Sequence, residues 1–367
     1  MTLVQSPMVL MMAGGTGGHV YPALALAREL RDRGCRVEWV GTERGLESRV
    51  VPQAGIPLHT LVVRGVRGKN PLWKILGVFY LILSTLQALW LVLRLSPKCV
   101  VGMGGYVAGP AGVAAWLLRK PLVIHEQNAV AGTTNRLLVP FASRVLSGFP
   151  GAFKPGVENT VVGNPVRREF IEQAAASSYD FDGQRPMRLL VVGGSLGAQA
   201  INDVVPEVAK RLFSGDQPAI EFWHQTGTMH AELVRGSYGA LLDQGVKVTA
   251  FIEDMASAYE WADLVLCRAG ALTVSELSIM GRPAILVPLP QAIDDHQSAN
   301  ARFLVAPGGA VLLRQSEMSA DTLIDLLSGY LKNPRQLTAM AAASAGLGIP
   351  RATQIVGDYC EALINDH

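Results

Sequence analysis

The sequence predicts an α/β protein built from two Rossmann-like domains, each a parallel sheet flanked by helices, with the two sheets facing a deep cleft. Three observations predict it. Strand-length apolar runs alternate with helical patterns along the 367 residues, the arrangement that implies parallel sheets. Val9 to Met12 runs into Gly14-Gly15-Thr16-Gly17-Gly18 and then an amphipathic helix, the grammar of an anion cradle at a helix N-terminus. Leu189 to Val192, followed by Gly193-Gly194-Ser195-Leu196-Gly197, repeats that grammar about half a chain later, as two similar domains would.

Bulk properties narrow the class. Hydrophobic residues make up 49% and charged residues 17%, which argues against disorder. A formal charge of +2 gives no reason to expect a nucleic-acid partner. Cys35, Cys99, Cys267 and Cys360 form no C-x-x-C pair, so structural zinc and a disulfide framework are not expected. Residues 1–7 carry no basic segment ahead of the apolar run; that run reads as a first strand rather than a signal peptide.

The elements follow in order. The first glycine turn lacks the G-x-G-x-x-G spacing of the dinucleotide fingerprint. Pro22 is expected in the first turn of the following helix, where a missing N–H costs nothing, and Gly34 just past its end. Residues 37–41 and 58–63 read as strands two and three. Arg64, Arg67, Lys69 and Lys74 then lead into residues 75–93, whose clearly polar members are Ser84, Thr85 and Gln87, closed by Arg94. The length suits a membrane span, but one crossing would leave three strands on one side of a bilayer and all later ones on the other. The expectation is a crossover helix whose outer face meets an anionic membrane surface through residues about 64–94, with Trp73, Phe79, Tyr80 and Trp90 at interfacial depth. Burial on all sides is the alternative.

Residues 98–102 and 121–124 read as further strands. The first ends in a second glycine turn, Gly102-Met103-Gly104-Gly105-Tyr106, and the second delivers His125-Glu126-Gln127-Asn128 to its carboxyl end, where open α/β sheets place ligands. Val161 to Arg167 closes the first domain, taken as residues 1–165; the second is 166–349, and the helix near 350–367 is expected to return to the first. Residues 172–186 read as a polar linker, and Asp180-Phe181-Asp182 within it as solvated surface rather than a metal motif. Strands are predicted at 187–192, 219–224, 246–250, 263–267 and 284–288. Cys267 to Glu276 is another strand, glycine turn and helix start, and Asp294 to Asn300 a polar helix start. Gly193-Gly194-Ser195-Leu196-Gly197 also satisfies the G-x-S-x-G nucleophile elbow. A hydrolase, however, needs no matching turn at 14–18, and an aspartate adjacent to His296 is poorly placed to orient it.

These motifs, taken with Ala271-Leu272-Thr273-Val274-Ser275-Glu276, resemble the bacterial peptidoglycan N-acetylglucosaminyltransferases, a family of GT-B glycosyltransferases, over nearly the whole chain. The resemblance implies transfer of N-acetylglucosamine from UDP-N-acetylglucosamine to the 4-hydroxyl of the muramoyl sugar of undecaprenyl-linked lipid I, with inversion, giving lipid II. The alternative is a transferase using another nucleotide sugar and a soluble acceptor. The resemblance also implies a peripheral enzyme at the cytoplasmic face of the cell membrane, with proteins of cell-wall synthesis as candidate partners. An inverting transfer needs a base on the acceptor hydroxyl and stabilisation of the departing diphosphate. His19 is the base candidate and Glu126 the second. Gly104, Gly105, Tyr106, His125 and Asn128 are the expected acceptor side. Donor contacts are expected from Thr16, Gly17, Gly18, Asn128, Arg167, Ser195, Ile252, Gln297 and the helix start Ala271, Leu272, Thr273, Val274, Ser275 and Glu276, with Glu276 on the ribose. Helix dipoles and an arginine can stand in for a metal, so no cofactor is strictly required.

Overall fold

Alternation of side chains builds the first sheet. In β1 (Met8–Met12), Val9 and Met11 feed one apolar cluster while Met8, Leu10 and Met12 feed the one on the opposite face. A strand covered on both faces is what an unbroken apolar run specifies. The computed structural model describes residues 6–63, 71–194, 196–213 and 219–366. They divide into two units: one runs to Arg167 and resumes at Pro350, the other is Arg168–Ile349.

The first unit holds β1, β2 (Arg36–Gly41), β3 (Leu58–Thr60), β4 (Cys99–Gly102), β5 (Leu122–Glu126), β6 (Arg144–Ser147) and β7 (Thr160–Val161). They form a parallel sheet in the order β3-β2-β1-β4-β5-β6-β7. The second unit holds β8 (Met187–Val192), β9 (Ile220–Gln225), β10 (Val246–Thr249), β11 (Leu264–Cys267), β12 (Ala284–Leu286) and β13 (Ala310–Leu312). Their order is β10-β9-β8-β11-β12-β13, again parallel. In both sheets the winding reverses between the first strand and the fourth, β1 beside β4 and β8 beside β11. Such a switch point opens a crevice at the carboxyl ends of the two strands.

The helix Pro71–Leu95 joins β3 to β4. Ser84, Ala88, Leu91 and Val92 are buried, and the three apolar ones pack against the sheet. Phe79, Ile82, Leu86, Trp90 and Leu93 are 56–63% exposed, so burial on all sides does not hold. β1 pairs with β2, before the helix, and with β4, after it; a bilayer crossing would pull that sheet apart. Arg94 lies 4.6 Å above the Trp90 ring. Arg64, Arg67 and Lys69 lie outside the described residues, as do the side chains of Trp73 and Lys74.

The last helix, Ala352–Asn365, packs within the first unit against Gly17–Asp32. Arg33 fastens the two, bonding Glu29 at 2.9 Å, Asp358 at 2.8 Å and Glu361 at 3.0 Å.

Two expectations change. The first helix begins at Gly17, so Pro22 sits inside it rather than in its first turn, and the backbone there lacks one interior N–H. Residues 172–186 are not simply a polar linker: the helix Arg168–Ala176 takes the first part, and Phe181 is buried in the second unit's core. Arg185 lies 5.3 Å above the Phe181 ring and pairs with buried Asp263 at 2.6 Å and with exposed Asp180 at 3.1 Å. The two carboxylates of Asp180-Phe181-Asp182 are on the surface, but the ring between them is an anchor.

Candidate active site

The first switch point is built from two interlocking glycine turns. β1 and β4 end in register, Met12 beside Gly102, and each continues into glycines. Gly104 and Gly105 have φ of +96° and +86°, a region closed to most side chains. A Cβ on Gly105 would lie 2.4 Å from the Gly14 carbonyl oxygen, and one on Gly104 3.0 Å from the His19 ring. The second turn thus lies directly on the first and backs the imidazole. Tyr106 is exposed, and with Gly14, Gly15, Arg44 and Val63 it lines a pocket of about 450 Å³.

One N–H of the first turn, that of Gly15, is taken from inside. Glu47 is fully buried, and its carboxylate accepts the Gly15 N–H at 3.0 Å, the Thr42 N–H at 2.9 Å and the Thr42 hydroxyl at 2.7 Å. Gly14, Gly41 and Gly45 crowd around it so closely that a Cβ on any of them would meet the side chain at 2.7 Å or less. Thr16, Gly17 and Gly18 open the helix itself; Thr16 takes the N-cap position without a side-chain cap bond.

His125 and Glu126 belong to β5 rather than to the loop after it, and this changes their roles. His125 is fully buried. Its Nε2 faces the Gly163 carbonyl at 2.9 Å and its Nδ1 the Gln127 side-chain amide at 3.1 Å, so neither ring nitrogen is left for an acceptor. Burial pushes its pKa down to about 4, and the Gly163 bond and Glu126 only partly oppose that, so the ring is neutral near pH 7. Glu126, also buried, accepts from Asn128 N–H at 2.9 Å and Asn128 Nδ2 at 3.2 Å on one oxygen. Its other oxygen accepts from Gly132 N–H at 2.9 Å and Asn135 Nδ2 at 2.8 Å. Four donors fill a carboxylate; the geometry of Glu126 is that of a clasp on the loop 127–132. His19, half-buried, bonds through Nδ1 to Gln127 Oε1 at 2.7 Å. Arg167, at the end of this unit, lies 5.9 Å from the Tyr21 ring.

The second unit repeats the scheme with an amide. Gln225, at the end of β9, accepts the Gly194 N–H at 2.9 Å and donates to the Gly194 and Ala250 carbonyls at 2.9 Å each, which pins the turn after β8. Ser195 lies outside the described residues. After β11, the helix Ala271–Met280 starts from Gly270. Ala271, Val274, Ser275 and Glu276 are buried, whereas Leu272 and Thr273 are half-buried; Ser275 Oγ donates back to the Ala271 carbonyl at 3.0 Å. The Ile252 side chain is buried. Gln297 accepts the Leu289 N–H at 2.9 Å, beside Asp294 and Asp295, whose φ of +54° and +50° are left-handed for non-glycine residues, the kind of strain that gathers at binding sites.

Sequence reasoning did not single out Glu47, Gln225, Asn135 or Arg268, whose guanidinium bonds the Val287 carbonyl at 3.2 Å and Gln315 Oε1 at 2.8 Å. Among the described residues no group of three or more His, Cys, Asp or Glu is placed to hold a metal ion.

Comparison with known proteins covers both units. Residues 9–147 match the Glycosyltransferase family 28 N-terminal domain and residues 188–356 its C-terminal domain. A protein of Alkalilimnicola ehrlichii, named a UDP-N-acetylglucosamine–N-acetylmuramyl-(pentapeptide) pyrophosphoryl-undecaprenol N-acetylglucosamine transferase, is 52% identical over 96% of this chain and 98% of its own. A Pseudomonas putida protein of the same name is 49% identical over 96% of each. The solved MurG of Acinetobacter baumannii superposes with a TM-score of 0.81 at 39% identity, covering 97% of this chain and 99% of its own. A UDP-N-acetylglucosamine 2-epimerase of Neisseria meningitidis, at 15% identity and a TM-score of 0.65 over 98% and 100% of the two chains, shares the fold alone.

Proposed function

The chain belongs to glycosyltransferase family 28, among its UDP-N-acetylglucosamine–N-acetylmuramyl-(pentapeptide) pyrophosphoryl-undecaprenol N-acetylglucosamine transferases, and we propose that it does what they are named for. It moves N-acetylglucosamine from UDP-N-acetylglucosamine to the 4-hydroxyl of the muramoyl sugar of lipid I, with inversion, and so makes lipid II for peptidoglycan. The observation that carries this reading is 52% identity over 96% of this chain to a protein of that name.

The chemistry assigns roles to the residues. As the acceptor oxygen bonds to the anomeric carbon it gives its proton to a base, and the bond from that carbon to the diphosphate breaks with its electron pair leaving on UDP. We assign the base to His19, half-buried beside the Gly104 turn, and acceptor contacts to Gly104, Gly105, Tyr106 and Asn128. His125 and Glu126 support them from within. On the donor side we assign Ser195 and the helix start Ala271–Ser275 to the diphosphate, Glu276 to the ribose, Ile252 to the uracil and Gln297 to the sugar. Thr16, Gly17, Gly18 and Arg167 add N–H groups and a guanidinium suited to phosphate oxygens. Dipoles and arginine balance the leaving charge without a metal.

The same reading places the enzyme peripherally on the cytoplasmic face of the cell membrane. The stripe Phe79, Ile82, Leu86, Trp90 and Leu93 is too large an apolar face to stand in water without purpose, and Arg94 closes it with a cation suited to anionic headgroups. Replacing Phe79, Leu86 and Trp90 together by serine is expected to weaken sedimentation with phosphatidylglycerol vesicles at least about tenfold, while transfer to a water-soluble lipid I analogue stays near wild type. Unchanged sedimentation would refute the attachment.

The function itself is tested by supplying labelled UDP-N-acetylglucosamine and a lipid I analogue. Label is expected in the disaccharide product with UDP released in equal amount. Tight UDP binding without transfer would sink the assigned reaction.

A further inference from the structure

We propose that Gln127 is a positioning residue that fixes the tautomer of His19, holding the proton on Nδ1 and leaving the Nε2 lone pair to face the acceptor hydroxyl. The proposal rests on the assignment of His19 as base, and its argument is one of hydrogen-bond polarity.

Two backbone carbonyls, which can only accept, set the direction of a chain of bonds. The Gly163 carbonyl lies 2.9 Å from His125 Nε2, so that nitrogen carries a hydrogen. A neutral, fully buried imidazole then has a bare Nδ1. That nitrogen lies 3.1 Å from Gln127 Nε2, which also donates to the His125 carbonyl at 3.0 Å. Both contacts demand the amide's NH₂ on that side, so its assignment does not depend on a choice of flip. The amide oxygen must therefore face His19, where Oε1 lies 2.7 Å from Nδ1. An amide oxygen accepts only, so His19 Nδ1 carries the hydrogen and neutral His19 offers its lone pair at Nε2.

The chain is rigid enough to hold this choice. Gln127 and His125 are buried, Asn164 Nδ2 donates to the Gln127 carbonyl at 3.0 Å, and Gly104 lies against the imidazole. Glu126, the charged neighbour in sequence, is turned to Asn128, Gly132 and Asn135. An aspartate commonly fixes a catalytic histidine by the same contact. Here a neutral amide does so, with its own orientation fixed by a second histidine.

The test reads the tautomer directly. Long-range ¹⁵N–¹H spectra of the full chain with labelled histidine, assigned through His19→Ala, are expected to show His19 protonated at Nδ1 and His125 at Nε2. In Gln127→Met, His19 should become a mixture of tautomers, and kcat should fall about 10–100-fold with both KM values little changed. Gln127→Glu keeps an acceptor toward His19 and should restore the Nδ1–H tautomer and part of kcat, which a purely structural role does not explain. Wild-type His19 protonated at Nε2, or Gln127→Met with wild-type tautomer and kcat, would overturn the proposal. Should Gln127→Met fail to fold, the wild-type spectrum still decides. Near-normal kcat in His19→Ala would instead remove the base assignment and leave the tautomer result standing.

Discussion

His19→Ala is expected to lower kcat by about 10²–10⁴-fold, the usual contribution of a positioned general base, with UDP affinity close to wild type. The imidazole is half-buried, held at Nδ1 by Gln127 at 2.7 Å and backed by the Gly104 turn at the β1/β4 switch point. Its removal takes away a proton acceptor and, among the described residues, one side-chain hydrogen bond, the one to Gln127. Steady-state transfer to a lipid I analogue gives kcat and both KM values, and calorimetry with UDP gives donor binding separately. A loss confined to kcat places the interaction in the transition state. A rise in KM for the acceptor with kcat intact would make His19 a binding residue. Glu126 is not held ready to replace it, since its oxygens already accept four hydrogen bonds from its own loop.

The architecture was legible where the physical signal is local. The apolar runs of β1, β4, β8 and β11, and the glycines that follow them, announce strand, turn and helix over a dozen residues. β6, β7 and β13 are not among the predicted strands: β6 opens on the charged Arg144, and β7 is two residues long, too short for any pattern to register. The end of β5 shows what one or two residues decide. The apolar run stops at Ile124, but the ladder continues through His125 and Glu126, and those two polar side chains are buried instead of facing a ligand. The pairings that hold the turns were not legible, although Gln127 lies in the polar run that marks the end of β5. Gln225 is 31 positions from Gly194, and Gln127 is 108 from His19. Each looks like an ordinary polar residue until the sheet order brings its partner alongside.

Glu47 is the sharpest case, and its removal should be the most damaging change to the first unit. It sits 32 positions from Gly15 at the start of a short helix, Glu47–Gln53, where a surface charge would be the ordinary reading. Instead its carboxylate joins β1's turn to β2's, holding Gly15 and both donors of Thr42. Glu47→Ala leaves those donors unmet and opens a void among Gly14, Gly41 and Gly45. Three hydrogen bonds to a buried carboxylate, at about 1.5–3 kcal/mol each and less than additive together, make a loss of about 3–5 kcal/mol, a fall in melting temperature of about 6–20 °C for a unit this size. Glu47→Gln keeps the volume but turns an NH₂ toward one of the donors, for about 1–3 kcal/mol. The same turn carries His19 four residues on, so kcat should fall with stability in Glu47→Ala, and below the unfolding transition the loss should persist. Thermal and urea unfolding of the two variants, followed alongside transfer at low temperature, separates the effects. A melting temperature within a degree or two of wild type in Glu47→Ala would mean the glycine turn holds its shape without the carboxylate, and that the cage around Glu47 is packing alone.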